Sequence, residues 1–598
     1  MPTFDTPKPP SSASSPSKTY GSDLIATQLS SLKIPYIALV PGSSYRGLHD
    51  SLINHPSTST TIPKMLTTLH EEHAISIAHG YAKISRTPMA AAVHANVGLM
   101  HATMAIYNAW CDRVPILILG ATGPLDASKR RPWIDWIHTA QDQGALIRQY
   151  VKFDDQPHSA EAATQSLVQA YVASARKPCA PSYVCLDLTL QENEVEQEKV
   201  KMPVTEKYLA VAREAPGPSA EDVERVVDAL KDSKKPVFLL GRMGSGRQEE
   251  WDERVKLVEN FDARVVTDIK QTAPFPYPHR CQPTGSSIFM SAASQELVRE
   301  ADLILSFDWV DPAGDLKAAG VPEPQAKVVH VSMDSALHNG WSKDHFALPP
   351  ADIAIHADVD KTIAAILKES ASVSSQQSSW SEPAPSPAPK LSTSSTIFMP
   401  DLASALYKTI PSSEMCLVRV PLGWPGACLQ ATHPLAFMGL DGGAGIGSGP
   451  GQLVGTSLAL QEIQSPLLPV AVIGDGEYLM ASSAFWTAAR YRLPLLCIVA
   501  NNGSYYNDEV HQERVAKRRG REVENKWIGM RLEDPQPDLQ KIAEGHGCTS
   551  VRGEQVRNRE DLESALRDAV AEARKGKSVV LDVRVLPEGY AEGMSEKK

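Results

Sequence analysis

Two short polar motifs flank a strongly apolar stretch in the C-terminal third of the chain. The first is Gly474-Asp475-Gly476, and the second, after 24 intervening residues, is Asn501-Asn502. Carboxylate and amide oxygens are hard ligands of the kind that Mg²⁺ prefers. Mg²⁺ takes few ligands from protein, because phosphate and water oxygens complete its octahedron. The two motifs therefore predict a site for magnesium bound to a diphosphate.

The residues between these motifs are predicted to form a βαβ unit, with strands at 470–473 and 495–500 and a helix at 478–491. Both strands of such a unit run the same way, so both motifs lie at the carboxyl edge of a parallel sheet, where α/β proteins bind ligands. The helix after Gly476 adds free N–H groups and a positive dipole end, which attract anions. The alternative is an ordinary tight βα turn followed by an asparagine turn.

The rest of the chain alternates β-rich runs with amphipathic stretches, a pattern typical of parallel α/β sheets. It has 598 residues, of which 42% are hydrophobic, enough for several domains. The predicted fold class is α/β, with three doubly wound parallel-sheet domains. Composition changes predict the following segments: a disordered tail at 1–19, domains at 20–192, 216–368 and 396–592, a charged linker at 193–215, and a Ser/Pro-rich linker at 369–395.

Charge and composition argue against several classes of protein. A net charge of −11 disfavours general binding to nucleic acid or anionic membranes, and the basic run 514–521 is interpreted as a solvated face. Residues 89–111 carry no formal charge, but His94, His101 and Gly98 favour a strand, a glycine turn and a helix from about Leu99 over a membrane helix. Eight scattered cysteines suit reduced thiols. We expect a cytoplasmic protein, with a mitochondrial location left open.

The spacing of the two polar motifs resembles the diphosphate-binding motif of thiamine diphosphate (ThDP)-dependent enzymes. The resemblance implies that Asp475 and Asn502 give side-chain oxygens to Mg²⁺ and that Ser504 gives a backbone carbonyl. Gly474 and Gly476 would then border the cofactor. In the decarboxylase and acetolactate synthase branch of this family, three α/β domains follow in the order pyrimidine-binding, central and diphosphate-binding. The predicted domain lengths match that order.

The resemblance extends to the first domain. The segment "MLTTLHEEHAISIAHG" places Glu71 at the start of a predicted helix, nine residues before Gly80. Family members have a glutamate there that hydrogen-bonds the aminopyrimidine ring in a dry pocket and activates the cofactor. Without the distant metal motif, Glu71 would be an ordinary first-turn carboxylate. Because each family site is shared between two subunits, the resemblance also implies a homodimer or homotetramer.

Two residues resemble substrate-side groups of benzoylformate decarboxylases. "VPGS" places Ser43 where those enzymes have a serine that touches the substrate carboxylate, and "AVHANVG" places His94 at their active-site histidine, a proton-transfer group. The alternatives are a turn-forming serine and a histidine with purely structural hydrogen bonds. His101 and His511 are weaker candidates for the same site.

Two features depart from the family pattern. The glycine-rich loop "LDGGAGIGSGPGQ" has Ala444 where relatives place a bulky wedge beneath the cofactor, so either Ile446 substitutes or the pocket is more open. The second substrate histidine of benzoylformate decarboxylases has no counterpart, and Trp309 and Asp311 stand in about its place. Both departures leave the substrate undetermined.

The resemblance implies a ThDP- and Mg²⁺-dependent lyase that decarboxylates a 2-oxo acid and either releases an aldehyde or joins the fragment to a second carbonyl compound, such as an aldehyde. One alternative is an acetolactate synthase-like carboligase, a transferase with FAD. The central "LLGRMGSGR" lacks GxGxxG, so we expect a plain βα turn there rather than FAD. Glu71, Asp475 and Asn502 together argue against a catalytically silent homologue. The missing dinucleotide fingerprint argues against a nicotinamide dehydrogenase.

Overall fold

The computed structural model describes Pro2, Phe4 and residues 18–55, 62–243, 246–334, 350–372, 377–382, 391–440 and 442–586. Most of the predicted tail 1–19, and parts of the predicted linker 369–395, lie outside these residues. Of the helices that are described, none combines the length and the apolar character needed to cross a bilayer.

The N-terminal domain is a six-stranded parallel sheet in the order β3-β2-β4-β5-β7-β6, and a short antiparallel ribbon, β1-β8, closes it. Its central strands are continuous apolar runs because helices cover both faces. The strands are β1 Thr19–Tyr20, β2 Tyr36–Leu39, β3 Lys64–Thr67, β4 Met89–Ala92, β5 Ile116–Thr122, β6 Phe153–Asp155, β7 Ser182–Asp187 and β8 Glu194–Val195. The helices are α1 Gly21–Ser31, α2 Arg46–Ile53, α3 Glu71–Ser85, α4 Ala95–Cys111, α5 Ile134–Ile137, α6 Ala160–Ala175, α7 Leu188–Glu192 and α8 Glu206–Arg213.

The central domain has a five-stranded parallel sheet in the order β10-β9-β11-β12-β13. Its strands are β9 Pro236–Leu240, β10 Arg264–Thr267, β11 Leu303–Phe307, β12 Lys327–Val331 and β13 Ile353–Ile355. Its helices are α9 Ala220–Asp232, α10 Gln248–Asn260, α11 Ala292–Glu300, α12 Pro312–Ala318 and α13 Val359–Glu369.

The C-terminal domain has a second five-stranded parallel sheet in the order β14-β15-β16-β18-β17. Its strands are β14 Met415–Arg419, β15 Leu468–Gly474, β16 Leu495–Asn501, β17 Thr549–Ser550 and β18 Ser578–Arg584. Its helices are α14 Met399–Thr409, α15 Ser448–Glu462, α16 Asp475–Ala481, α17 Ala484–Tyr491, α18 Tyr506–Arg518, α19 Leu539–Gly545 and α20 Arg559–Arg574. The prediction of three parallel-sheet α/β domains is confirmed.

Two predicted helices differ from the structure. The helix predicted at 478–491 is two helices, α16 and α17, separated by a turn at Ser482 and Ser483. Ser483 Oγ lies 2.8 Å from His73 Nε2 of the N-terminal domain, a tertiary contact that a local pattern does not encode. Helix α4 begins at Ala95 rather than about Leu99, so Gly98 lies within its first turn instead of forming a separate glycine turn.

Helices α3 and α15 join the N-terminal and C-terminal domains through close backbone contact. A Cβ atom on Gly80 would lie 2.1 Å from the Gln452 carbonyl oxygen, and one on Gly455 would lie 1.9 Å from the Ile77 carbonyl oxygen. Only glycine at both positions permits this approach. The contact matters for the site, because α3 begins at Glu71 and α15 directly follows the glycine-rich loop.

Parts of the two predicted linkers pack against domains. Within 193–215, helix α8 contributes Ala212 and Leu209 to the hydrophobic core beside α1 and α6. Within 369–395, the Trp380 indole N–H donates to the Pro236 carbonyl at 3.2 Å, and the Lys235 ammonium lies 5.0 Å from the centre of the Trp380 ring.

Candidate active site

The two polar motifs meet at the carboxyl edge of the C-terminal sheet, as the βαβ reasoning predicts. Strands β15 and β16 are parallel neighbours, with Gly474 opposite Ala500. Asp475 is the first residue of α16, and its Oδ2 accepts a hydrogen bond of 2.7 Å from the Gly503 N–H. Asn502 Oδ1 accepts one of 2.9 Å from the Ser504 N–H. The carboxylate and the amide oxygen are therefore held in fixed positions on adjacent loops.

The environment of Asp475 fits a cation. The residue is only 4% exposed, and this burial raises its pKa from 3.8 to about 6, although the N–H groups of Gly503 and Gly476 oppose the shift. Within the described residues, no group of three or more His, Cys, Asp or Glu side chains is placed to hold a metal ion. A metal at this edge would depend on Asp475, Asn502 and oxygens from outside the protein, and that donor set suits Mg²⁺ with a diphosphate.

The backbone around this edge leaves room for a ligand. A Cβ atom added to Gly474 would meet nothing within 4 Å, so open space lies beside the backbone immediately before Asp475. Gly476 lies against the Tyr505 ring, which an added Cβ would approach to 2.6 Å. Ser504 is buried, and its hydroxyl donates to Glu509, which leaves its backbone as the group available to a metal.

The glycine-rich loop packs tightly on helix α4. Added Cβ atoms would lie 2.4 Å from Asn108 Oδ1 at Gly443 and 2.2 Å from Met104 Cε at Gly445. The alternate residues, Ala444 and Ile446, are exposed on the loop, and Ala444 adopts a φ of 52°. Both candidate wedge residues are therefore accessible, and which of them contacts a cofactor stays a prediction.

Glu71 lies at the carboxyl edge of the N-terminal sheet as the first residue of α3, and it is 5% exposed. An added Cβ on Gly98 would lie 2.9 Å from Glu71 Oε1, so the glycine in α4 provides the space that this carboxylate occupies. His101 Nδ1 lies 3.0 Å from Glu71 Oε2. The structure thus brings His101 to Glu71, whereas His511 is an exposed residue of α18.

His94 lies at the same edge, between β4 and α4, and a serine of the loop after β2 is its hydroxyl partner. Ser44 Oγ lies 2.9 Å from His94 Nδ1, whereas Ser43 is exposed at the start of the same loop. A Cβ on Gly42 would lie 2.4 Å from His94 Cγ, so the glycine of "VPGS" lets this loop cover the imidazole. The predicted role of Ser43 on the substrate stays untested.

His138, which the sequence reasoning missed, completes this group. It lies in the loop after β5, and its ring centre is 4.8 Å from that of His94. The loop has no hydrophobic periodicity that would place it. The available signal was its position after the carboxyl end of a sheet-centre strand. Burial lowers the pKa of His94, the neighbouring His138 lowers it further, and Glu71 opposes the shift.

Trp309 and Asp311 have structural contacts. The Trp309 indole N–H donates to Asp315 Oδ2 at 2.6 Å, and the ring is 6% exposed. Asp311 caps α12 by accepting from the Gly314 N–H at 2.9 Å. Neither side chain is therefore a free polar group in the place of the missing substrate histidine.

Ion pairs lie at the carboxyl edge of the central sheet. Arg242, which follows β9, lies 3.0 Å from Asp334 and 3.3 Å from Asp308. Arg113 of the N-terminal domain reaches the same Asp334 carboxylate at 2.6 Å. The place where a doubly wound sheet would bind a nucleotide is therefore an interdomain contact.

Comparison with protein families gives three matches in chain order. Residues 19–146 match the N-terminal TPP binding domain of thiamine pyrophosphate enzymes, 223–366 the central domain, and 423–583 the C-terminal TPP binding domain. Benzoylformate decarboxylase of Pseudomonas aeruginosa is 26% identical over 528 residues, covering 85% of this chain and 89% of that protein. The acetolactate synthase large subunit of Lactococcus lactis is 25% identical over 322 residues, 53% of each chain.

Solved structures agree on the fold. A ThDP-dependent 4-hydroxybenzoylformate decarboxylase from Rhodococcus jostii superposes with a TM-score of 0.74 at 19% identity, covering 95% of this chain and 99% of that one. Benzoylformate decarboxylase from Polynucleobacter necessarius gives 0.75 at 18% identity with the same coverage. With all three domains matched in order, the chain belongs to the thiamine pyrophosphate enzyme family.

Proposed function

We propose that the protein is a ThDP- and Mg²⁺-dependent enzyme that decarboxylates a 2-oxo acid. The observation that carries this proposal is the placement of Asp475 and Asn502, each held by a backbone N–H, at one sheet edge. A buried Glu71 lies beside histidines at the edge of another sheet. Family membership and the decarboxylases among the relatives support the proposal.

Each residue has a task that suits its surroundings. Asp475, Asn502 and the Ser504 carbonyl would hold Mg²⁺, and Gly474 with Gly476 would leave room for the diphosphate at the N-terminus of α16. Glu71 would hold a proton against the aminopyrimidine in its dry pocket. When bound, ThDP supplies the electron sink that lets the bond between a carbonyl carbon and a carboxylate break.

The substrate side would be formed by Ser43 and His94, and either Ala444 or Ile446 would support the cofactor as its wedge. Ser43 would contact the substrate carboxylate, and His94 would contact the substrate during proton transfer. In this proposal two subunits share each site, so the working unit is a homodimer or homotetramer. FAD has no part in the proposal, because the segment "LLGRMGSGR" lacks GxGxxG and its Arg242 is paired with Asp334, which Arg113 also contacts.

The first test is cofactor binding. The thermal midpoint of the protein is measured with ThDP alone, with Mg²⁺ alone and with both. Binding to the folded state at about 100 times the dissociation constant stabilises by about 2.7 kcal/mol. We expect a large shift only with both ligands, because Asp475 and Asn502 would hold the Mg²⁺ that the diphosphate needs in order to bind. Equal shifts with either ligand alone, or no shift, would contradict the proposed clamp.

The second test is the reaction. A panel of aliphatic and aromatic 2-oxo acids is assayed for carbon dioxide release, and product analysis separates aldehydes from 2-hydroxy ketones, the products of carboligation. Glu71→Gln should lower the rate by about 10²-fold or more, the usual size of an acid–base contribution. The matched control is Glu72→Gln, which removes a carboxylate from the same helical turn and should retain activity. Equal activity of both variants would refute the role of Glu71.

A further inference from the structure

Two imidazoles lie side by side near Glu71, and the hydrogen bonds around them differ in kind. The ring centres of His94 and His138 are 4.8 Å apart, with an angle of 42° between the planes. Both rings are partly buried at the carboxyl edge of the N-terminal sheet. One proton can be accommodated on such a pair far more easily than two, because like charges at this distance repel. Which ring carries it depends on what each Nδ1 atom contacts.

Ser44 is the hydroxyl partner of His94. The Ser44 Oγ accepts from the Ala95 N–H at 3.2 Å and lies 2.9 Å from His94 Nδ1. We assign the Ser44 hydroxyl hydrogen to this contact, so that Nδ1 accepts and the proton of the neutral ring lies on Nε2. Ser44 itself is fixed, because the Gln191 side-chain amide donates to its carbonyl at 2.9 Å. Protonating His94 at Nδ1 would require the Ser44 hydroxyl to turn its hydrogen away and accept a second hydrogen bond.

His138 is held in the opposite way. Its Nδ1 lies 2.8 Å from the Ile134 carbonyl oxygen, which can only accept, so Nδ1 carries a proton and Nε2 is left with the lone pair. A proton added at Nε2 leaves the bond to Ile134 intact and strengthens it, because a charged donor forms the stronger hydrogen bond. The backbone therefore stabilises the protonated form of His138 without any rearrangement.

The other charged and titratable groups near the pair are consistent with this division. Glu71 of α3 and Tyr45 of the loop after β2 face His94, and burial together with Glu71 raises the pKa of Tyr45. Asp135, on the same short helix as Ile134, is ionised, because its bonds to Arg131 lower its pKa. Arg131 is paired with Asp135 at 2.8 Å, so this ion pair adds no net charge beside the short helix.

We propose that His138 carries the proton that decarboxylation consumes, while His94 stays neutral and donates a hydrogen bond from Nε2 to the substrate. The inference rests on the proposed function and makes it specific. The bond between the carbonyl carbon and the carboxylate breaks, carbon dioxide leaves, and the same carbon gains one proton, so each turnover uses one proton and no redox partner. His138 gives its Nε2 proton to that carbon, becomes neutral, and takes a new proton from water.

The first experiment needs neither cofactor nor activity. Hydrogen–deuterium exchange at the imidazole C2 position, followed by peptide mass spectrometry across pH, gives the titration midpoint of each histidine in the full-length protein. We expect the midpoint of His94 to be the lower of the two, because burial and the neighbouring ring both disfavour a charge on His94. Ser44→Ala should raise the His94 midpoint by about half a unit or more, because the bond to the neutral ring is lost. Ser43→Ala is the matched control and should leave that midpoint unchanged.

The second experiment uses the loaded enzyme. If His138 must be protonated, the wild-type rate falls at high pH. His138→Gln should lose about 10²-fold in kcat, and its rate should no longer fall at high pH. His94→Gln should have a lower kcat/KM, but its rate should still fall at high pH. A midpoint of His94 above that of His138, or a His138→Gln variant with the wild-type pH profile, overturns the assignment. Failure to decarboxylate any 2-oxo acid would refute the proposed function, while the titration order would still decide the division of roles.

Discussion

Replacing Gly455 by alanine tests the contact between helices α3 and α15. The new Cβ would lie 1.9 Å from the Ile77 carbonyl oxygen and 2.8 Å from the Tyr81 nitrogen. Real Cβ atoms stay at least 3.0 Å from such neighbours, so the helices have to separate by about 1 Å. Neither obstacle is the end of a flexible side chain, and rotamer changes cannot relieve the clash.

The magnitude follows from two opposing effects. Overpacking of this kind costs about 1–3 kcal/mol, and alanine regains up to about 1 kcal/mol of helix propensity. We therefore expect a net loss of about 1–2 kcal/mol. If the C-terminal domain unfolds as a unit, this corresponds to a fall of about 2–8 °C in the thermal midpoint. The shift produced by ThDP with Mg²⁺ should also shrink, because α15 carries the glycine-rich loop and α3 carries Glu71.

The matched control is Gly545→Ala at the end of α19, where an added Cβ meets nothing within 4 Å. This variant should be as stable as the wild type or slightly more so. Differential scanning calorimetry of both variants, with and without cofactors, makes the comparison. A Gly455→Ala midpoint at or above that of the wild type would falsify the view that direct backbone contact sets the spacing of these helices.

Three further predictions concern charge and packing. Burial raises the pKa of Asp475 from 3.8 to about 6, so its neutral form contributes about 3 kcal/mol to folding below pH 3.8, and this contribution is lost as the pH rises to about 6. In the presence of a chelator and without cofactors, Asp475→Asn should therefore gain stability relative to the wild type between pH 4 and 7. A stability difference between the two proteins that does not change with pH would contradict this. Arg254→Met leaves the buried Asp360, its partner at 2.8 Å, unpaired, so the free energy of unfolding measured by denaturation should fall by about 3–5 kcal/mol. The double variant Arg254→Met with Asp360→Leu should largely restore it. Equal losses in the single and double variants would exclude the pair as the cause. Phe4→Ala removes a ring whose centre lies 5.5 Å from that of Tyr36 and 5.2 Å from that of Tyr491. The variant should lower the thermal midpoint by an amount equivalent to about 1–2 kcal/mol. An unchanged midpoint would mean that Phe4 does not stabilise the contact between the two domains.

Local patterns in the sequence were sufficient for the fold class and for the edge at which Asp475 and Asn502 meet. A strand that ends in a polar motif places that motif at a sheet edge, and the parallel sense of a βαβ unit brings two such motifs to the same edge. The position of Glu71 at the start of helix α3 was implied by the resemblance to ThDP-dependent enzymes, and a carboxylate in the first turn also suits the helix dipole. These inferences depend on residues close together in the chain.

Contacts between distant segments were decided only by the tertiary structure. Ser44 rather than Ser43 reaches His94, because the loop after β2 closes over a ring 50 residues away. His138 joins them through a loop with no periodic pattern, and Gly98 lies inside a helix because Glu71 occupies the space of its missing side chain. The sequence by itself thus determined which residue types stand at the sheet edges. The packing of loops and helices from different strands decided which of them touch, because that depends on distances that no local propensity contains.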